Sequence, residues 1–327
     1  MPEEIRRVDV VGVGLNATDT LIRLPHFPAF DTKTEFRSAE VLPGGQVASA
    51  MVACQRWGLQ TRYVGKVGDD PAAELQREEL RRAGVEAHLF PVPDCLSQVA
   101  FILVDQTSGE RTILWKRDAR LTLHPEELER DWIVHARALH VDGHETAAAA
   151  TAARWAREAG IPVTADIDNL FPGIEPLLEN VDYLLASHTF PEKLVGEPDL
   201  LKSLPAIRRR FGCRVTGVTL GKKGVLAWDG TRFHYCPGFR VQAVDTTGAG
   251  DIFHGAFVYG LLQDWPLERN LEFSCAAAAL NCTFLGARGG IRPVEEIERL
   301  VREGERSEPA YDEALLNRFQ RATSRNA

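Results

Sequence analysis

The segment from Val241 to Leu262 carries the groups best suited to chemistry. It reads VQAVDTTGAGDIFHGAFVYGLL, in which small residues separate a predicted strand ending at Asp245 from a predicted apolar helix beginning at Asp251. Small residues at a helix N-terminus leave backbone N–H groups uncovered, and with the helix dipole these donors form an anion site. A carboxylate beside such a site can take a proton from a nucleophile aimed at phosphorus. The segment therefore predicts phosphoryl transfer, with Asp251 as general base and an anion hole at Gly248, Ala249 and Gly250.

A simpler interpretation of these residues is structural. Asp251 can cap the helix, and the glycines can permit close packing. For a G-x-G-D string alone this interpretation is the better one. The rest of the chain decides between the two.

Alternating strands and helices predict an α/β fold. Strands are expected at 8–14, 61–67, 138–141, 162–166, 183–186 and 215–220, with helices between them. This alternation predicts a doubly wound, mainly parallel sheet flanked by helices. Ligands bind such sheets at the carboxyl ends of the strands, so we expect the site there.

Two segments, at about 16–43 and 96–118, interrupt this alternation of strands and helices. The first is polar and broken by prolines, and the second resembles a hairpin around the turn Gln106–Gly109. Together they predict a small β-sheet lid on one domain that spans residues 1–327. Residues 303–327 are charged and sparsely apolar, which predicts a C-terminal surface helix or tail.

Composition narrows the class of protein. With 327 residues and 44% hydrophobic residues the chain can bury a large core, and a net charge of −8 argues against a nucleic-acid partner. No apolar run is long enough for a membrane span, and the start lacks a signal-peptide pattern. The six cysteines are scattered without a C-x-x-C pair, which is typical of reduced thiols. We expect a cytoplasmic protein with small-molecule partners and no membrane or nucleic acid.

Two signatures identify a family resemblance. DTTGAGD followed by FHGAF, together with Gly44-Gly45 before an apolar helix and GKVGDD at 65–70, resembles the PfkB (ribokinase-like) carbohydrate kinases. The resemblance covers about residues 8–300. It implies a ribokinase-like fold, ATP and Mg²⁺ as cofactors, and Asp251 as the base that activates a sugar hydroxyl.

The resemblance also implies roles for individual residues. The sugar would be bound by Asp19, Gly44, Gly45, Ser49 and, from the lid, Arg111. The nucleotide would be bound by Thr219, Gly221, Lys222, Gly224, Ala278 and Asn281. A monovalent cation, K⁺ in relatives, would lie at Asp245 and Thr247, with the segment 286–291 completing the site.

The sequence departs from the family pattern in two places. Ser49 stands where the first signature usually has a sugar-binding asparagine, and 187–190 lacks the N-x-x-E motif that organises magnesium. Serine at the first position resembles the ketohexokinase and sulfofructose kinase branches. Gly143 and Trp115 stand where a sulfonate-binding arginine and asparagine would be required, which argues against a sulfonate. A ketose or ketose-like acid is therefore the expected substrate.

Other functions and substrates stay open at this stage. Ribose, adenosine, 2-keto-3-deoxygluconate and, because of Lys116 and Arg117, a sugar phosphate are further candidates. Loss of N-x-x-E would suit a catalytically reduced sugar or nucleotide sensor, although the intact Asp251 argues against it. A nicotinamide-dependent dehydrogenase would need G-x-G-x-x-G, and Gly12–Ala17 lacks the last glycine. In relatives the lid often forms a dimer clasp, so the resemblance also implies a homodimer through the β-lid.

Overall fold

The computed structural model describes residues 7–312, 314 and 316, and in that part of the chain thirteen strands form two sheets. The strands are β1 (Val10–Val13), β2 (Ala17–Leu24), β3 (Ser38–Gly44), β4 (Thr61–Val67), β5 (Glu86–Pro91), β6 (Val99–Asp105), β7 (Arg111–Lys116), β8 (Ala138–Asp142), β9 (Val163–Ile167), β10 (Tyr183–Ser187), β11 (Val215–Thr219), β12 (Val225–Trp228) and β13 (Phe233–Cys236).

Ten α-helices accompany these strands within the described residues. They are α1 (Gln46–Arg56), α2 (Pro71–Ala83), α3 (Arg130–Val134), α4 (Thr146–Glu158), α5 (Glu175–Leu178), α6 (Phe190–Val195), α7 (Leu200–Phe211), α8 (Ala249–Leu262), α9 (Leu267–Asn281) and α10 (Val294–Glu303). In the same part of the chain, no helix has both the length and the apolar character that crossing a bilayer requires.

The large sheet has the order β13-β12-β11-β10-β9-β8-β1-β4-β5. From β11 to β5 neighbouring strands are parallel, and β12 and β13 continue the sheet in antiparallel pairing. The buried, β-branched residues of β1 are typical of a central strand covered on both faces. The predicted doubly wound, mainly parallel sheet is confirmed. The strand order reverses around β1, which favours a ligand crevice at the carboxyl ends of the neighbouring strands.

The small sheet has the order β3-β2-β6-β7 and combines the two predicted insertions. Its inner face is apolar and buried: Leu21, Ala100, Ile102 and Val104 pack with Leu42 and with Leu285 of the main body. This packing holds the small sheet over one end of the large one. The prediction of a separate small sheet from these two segments is confirmed.

Helices α1 and α8 pack side by side on the large sheet. Gly255 makes this contact possible, since a Cβ there would lie 3.0 Å from the carbonyl oxygen of Ala50. Close packing brings the N-termini of both helices to the same edge of the sheet. The small residues in FHGAF therefore serve the helix contact.

The approach to α8 differs from the prediction. The expected strand ending at Asp245 is wrong: residues 241–245 form no strand, and the N–H groups of Val244 and Asp245 donate to the carbonyl of Cys282 at 2.8 and 3.2 Å. The helix begins at Ala249, two residues before the predicted start at Asp251, because Gly248 (φ 74°) is the N-cap residue. Asp251 accordingly lies within the first turn.

The expected C-terminal helix or tail at 303–327 is described only in part. Helix α10 ends at Glu303, and Arg306 forms an isolated antiparallel bridge with Phe239. Residues 313, 315 and 317–327 lie outside the described residues.

Candidate active site

The N-terminus of α8 forms an open backbone cradle. Gly248 is required by geometry, because its φ is +74° and a Cβ would lie 2.4 Å from the Cα of Ala287. At Gly250 a Cβ would meet no heavy atom within 4 Å, so the first turn borders free space. The N–H of Ala249 donates to Thr246 at 3.3 Å, whereas the N–H groups of Gly250 and Asp251 have no backbone acceptor among the described residues. These open donors suit an anion. Of the predicted anion hole, the N–H of Ala249 is already engaged by Thr246, and the roles of Gly248 and Gly250 stay predictions.

Asp251 has the properties of a proton acceptor near neutral pH. Burial raises the pKa of its carboxyl to about 6, with Asp168 and Asp142 adding to the rise and Arg111 and Arg288 opposing it. A general base is most effective when its pKa lies near the working pH. The carboxyl therefore fits the role predicted for it.

Asp19 reaches the site from β2 of the small sheet. Its side chain is 5% exposed, and burial, followed by the charge of Asp251, raises the pKa of its carboxyl to about 7. Gly44 leaves room for this carboxyl, since a Cβ there would lie 2.0 Å from Asp19 Oδ2. Gly45 has φ 93°, and a Cβ would lie 2.3 Å from the Cα of Asn16. Gly44 thus makes room for the Asp19 side chain of β2, and Gly45 permits the close approach of the end of β3 to the loop after β1.

Arg288 is a site residue that the sequence analysis did not single out. It is 7% exposed and lies on the segment after α9, from which Nε donates to Ser49 Oγ at 3.1 Å and Nη2 donates to the carbonyl of Gly44 at 2.8 Å. Ser49 itself is fully buried. The only signal in the sequence was an arginine set among small residues in GARGG, inside the segment 286–291 assigned to the cation site.

Arg111 joins the small sheet to the α8 loop. Its Nη1 donates to Thr246 Oγ1 at 2.6 Å, and Thr246 Oγ1 donates to the carbonyl of Gly109 at 3.2 Å. Arg111 therefore lies beside the loop that precedes α8, and its charge is close enough to lower the pKa of Asp251. Contact with a sugar stays a prediction.

Asp245 and Thr247 form a hydrogen-bonded unit. The Asp245 carboxylate accepts from Thr247 N at 2.9 Å, Thr247 Oγ1 at 2.7 Å and Gly286 N at 2.8 Å. The described residues contain no group of three or more His, Cys, Asp or Glu side chains suited to a metal ion. The N–H of Gly286 joins the segment 286–291 to Asp245, and the monovalent-cation site stays a prediction.

The predicted nucleotide residues occupy two elements. Thr219 ends β11, and the following turn needs its glycines: Gly221 has φ 58°, and a Cβ on Gly224 would lie 1.9 Å from the carbonyl oxygen of Cys236. Lys222 is exposed at this turn. On α9, Ala278 is partly buried.

Asn281, the last residue of α9, is already engaged by the protein. Its Nδ2 lies 3.2 Å from the carbonyls of both Thr247 and Ala287, and its Oδ1 accepts from Gly290 N at 3.1 Å. These bonds fix the α8 loop against the segment that carries Arg288. The side chain thus supports the site, and its predicted contact with the nucleotide stays a prediction.

His254 and Asp166 lie beneath the cradle. His254 Nδ1 is 2.7 Å from the carbonyl of Gly250, its Nε2 is 2.8 Å from that of Leu185, and Asp166 Oδ2 is 3.3 Å from Nδ1. Burial lowers the pKa of His254 and raises that of Asp166 well above its usual range. Asp142 accepts from the N–H groups of Leu15 and His144, so it supports the loop after β1.

Comparisons with known proteins agree with this geometry. Residues 9–293 match the family described as pfkB family carbohydrate kinase. The ATP-dependent ribose-1-phosphate kinase of Halopiger xanaduensis is 30% identical over 286 residues, which cover 86% of this chain and 94% of that protein. Fructokinase-2 of Solanum lycopersicum is 28% identical over 289 residues, covering 80% and 88% respectively. The ribokinase structure from Thermotoga maritima has a TM-score of 0.77 at 27% identity and covers 90% of this chain and 100% of that chain.

Proposed function

Since the chain belongs to the pfkB family of carbohydrate kinases and is a sugar kinase, we propose that it transfers the γ-phosphate of MgATP to a primary hydroxyl of a ketose or ketose-like acid. The observation that carries the proposal is the position of Asp251 in the first turn of α8, next to open N–H donors. The buried Asp19 of the small sheet lies close enough for the charge of Asp251 to raise the pKa of its carboxyl. We assign the reaction to the cytoplasm, where MgATP is supplied.

The residues divide the reaction between them. Asp19 accepts hydrogen bonds from sugar hydroxyls and fixes the sugar with one hydroxyl directed at Asp251. Asp251 takes the proton of that hydroxyl as its oxygen bonds to the γ-phosphorus and the bond from phosphorus to ADP breaks. The N–H groups of Gly250 and Asp251 stabilise the charge on the transferred group. Mg²⁺, when bound, neutralises charge on the phosphates.

A ketose is favoured over a sugar phosphate by the state of the basic residues at the lid. Arg117 donates to Glu145 and, at 2.8 Å, to the carbonyl of Leu121, so its charge is already neutralised. Lys116 is exposed at the end of β7. The relative acting on ribose-1-phosphate, by its name, keeps that substrate as the second candidate.

We also propose that the monovalent-cation role of Asp245 and Thr247 is retained. Asp245 is fully buried and joins the α8 loop to Gly286, so a cation there would tighten the anion hole. Thr219, Gly221, Lys222, Gly224 and Ala278 are proposed to contact the nucleotide.

The small sheet is further proposed to act as a β-lid that pairs two copies of the chain. The register aligns Val41, Thr20, Phe101 and Leu114 across its four strands. Val41, Phe101 and Leu114 are 59%, 49% and 56% exposed. An apolar row of this kind is typical of a protein interface.

The test is ADP release from MgATP across ketoses, aldoses, sugar acids, sugar phosphates and nucleosides. We expect turnover with one ketose and a loss in Asp251→Asn of at least about a hundredfold in kcat, because a positioned base contributes roughly 10²–10⁴-fold. Asp264→Asn, an exposed change at the other end of α8, is the matched control and should leave kcat unchanged. Turnover restricted to nucleosides or to phosphorylated sugars would contradict the proposed substrate. No turnover, despite ATP binding, would contradict the reaction.

A further inference from the structure

The guanidinium of Arg288 has one nitrogen without a partner. Its Nη1 is buried and makes no hydrogen bond within the described residues. Leaving a buried charged donor unpaired is costly, and native proteins rarely do so outside functional sites. The unpaired nitrogen therefore indicates that a partner arrives from outside the protein.

The other two nitrogens fix where this one lies. Nε and Nη2 form one edge of the planar guanidinium, and that edge is held by Ser49 Oγ and the carbonyl of Gly44. Nη2 also lies 3.5 Å from Gln76 Oε1, a contact too long to count as a strong bond. Because one edge is fixed against the start of α1, Nη1 is held rigidly on the opposite side, ready to donate.

Two carboxyls of the proposed reaction site, Asp19 and Asp251, lie close enough to interact with the charge of Arg288. The charges of Asp19 and Asp251 both stabilise the charged guanidinium. Within the described residues, however, the hydrogen bonds of this guanidinium go to Ser49, Gly44 and Gln76 and not to either carboxyl. The proposed function places the sugar next to these two carboxyls, with one hydroxyl directed at Asp251. A sugar hydroxyl can donate to a carboxylate and accept from a guanidinium at once, which suits this position.

On this basis, and resting on the proposed function, we propose that Arg288 is a sugar-binding residue whose Nη1 donates a hydrogen bond to a neutral hydroxyl of the acceptor sugar near Asp19. A phosphate dianion would gain from the arginine but would be repelled by the two carboxylates beside it. The arrangement therefore selects for an uncharged hydroxyl at this point of the sugar. Ser49 contributes by orienting the guanidinium.

The proposal is tested by combining variants of Arg288 with single-deoxy analogues of the sugar that the wild-type enzyme phosphorylates. In the wild type we expect removal of one hydroxyl to lower kcat/KM by roughly tenfold or more, since a site built to hydrogen-bond a hydroxyl rejects the analogue that lacks it. In Arg288→Met and Arg288→Lys the same deoxygenation should have little further effect. With the parent sugar, both variants should have a lower kcat/KM, mainly because KM is higher.

Controls separate binding from structural damage. Arg292→Met removes a nearby arginine that packs on Phe284, and it should leave the deoxy series unchanged from wild type. ATP binding and thermal unfolding report whether each variant is folded. Should Arg288→Met fail to fold, Arg288→Lys still tests the idea, because it keeps a cation but cannot both hold Gly44 and reach the sugar.

Each outcome has a distinct meaning. If the folded Arg288 variants lower kcat/KM by the same factor for the parent sugar and for every deoxy analogue, Arg288 is purely structural. The inference is then wrong, while the kinase function stands. A loss confined to phosphorylated sugars would replace the neutral hydroxyl by a phosphate and overturn the inference as stated. If the wild type phosphorylates no sugar, the proposed function fails first, and the inference fails with it.

Discussion

At the scale of single residues, the two raised carboxyl pKa values predict a particular pH dependence. Asp251 has a pKa of about 6 and Asp19 one of about 7, and the proposed mechanism needs both in their unprotonated forms. Protonation on acidification therefore removes first the sugar acceptor and then the base. We expect kcat/KM to be flat in alkaline solution and to fall about tenfold per pH unit below the higher pKa, more steeply below the lower one.

Asp19→Asn separates the two contributions. It should raise KM and leave a single titration near the pKa of Asp251, because the amide no longer titrates. The measurement is kcat/KM against pH, with enzyme stability checked at each pH. A profile that stays flat down to about pH 5 would contradict an ionised pair as the working state.

Two glycines that are two residues apart, Gly248 and Gly250, predict opposite consequences of substitution for fold and activity. Gly250→Ala points a methyl group into the free space of the cradle, so we expect at least about a tenfold loss of kcat, in line with the loss of oxyanion stabilisation, and no loss of stability. Gly248→Ala requires a left-handed alanine in contact with Ala287, which should cost about 2 kcal/mol or more. Thermal unfolding and steady-state kinetics on both variants decide the matter. A destabilised Gly250→Ala would mean that the space is occupied.

At the scale of elements, the site depends on how α9 holds two loops together. Asn281 bonds three backbone groups, so Asn281→Ala leaves Thr247, Ala287 and Gly290 without those partners. Alanine is the best helix former, so the expected loss of about 2–4 kcal/mol in the free energy of unfolding comes from the broken bonds alone. Urea unfolding measures it. Asn180→Ala, which removes one exposed bond to Pro176, is the control and should cost under about 1 kcal/mol.

Elements with a strong local pattern were predictable from the sequence. The strand Thr61–Val67 has the predicted bounds, because it is β-rich and buried. The helix Pro71–Ala83 lies between strands as predicted, and Asp70 caps it and Gly84 ends it. The segment 241–245 looks like a strand because it is apolar and β-branched. In the fold it has no neighbouring strand and bonds instead to Cys282, a tertiary effect that no local pattern contains.

The candidate site likewise contains residues that a local pattern reveals and one that only tertiary contacts bring in. Asp251 and the small residues before it lie in one short string, so a role for them could be proposed from spacing and resemblance alone. Arg288 joins the site only through contacts with Gly44 and Ser49, more than 200 positions away in the sequence. Its separations of 239 and 244 residues explain why a reading along the chain assigned no chemistry to it.

At the scale of the whole molecule, the exposed apolar row on the small sheet predicts assembly. Val41, Phe101 and Leu114 lie on the face opposite to the one that packs on Leu285, so burying them in a second copy leaves the inner face over the active site. A charge introduced into such a row remains solvated in a monomer and must be desolvated in a dimer. We therefore expect the wild type to be a dimer and Leu114→Asp to be a monomer.

Light scattering and sedimentation velocity over a range of concentrations measure this directly. Leu170→Asp, which places the same charge at an exposed leucine outside the small sheet, is the matched control and should stay dimeric. Because Asp19 and Arg111 are carried by the same sheet, loss of the dimer should also raise KM for the sugar, through looser positioning of both residues. A wild type that is monomeric at all concentrations, or a Leu114→Asp variant that remains a dimer, would show that the lid works within a single chain.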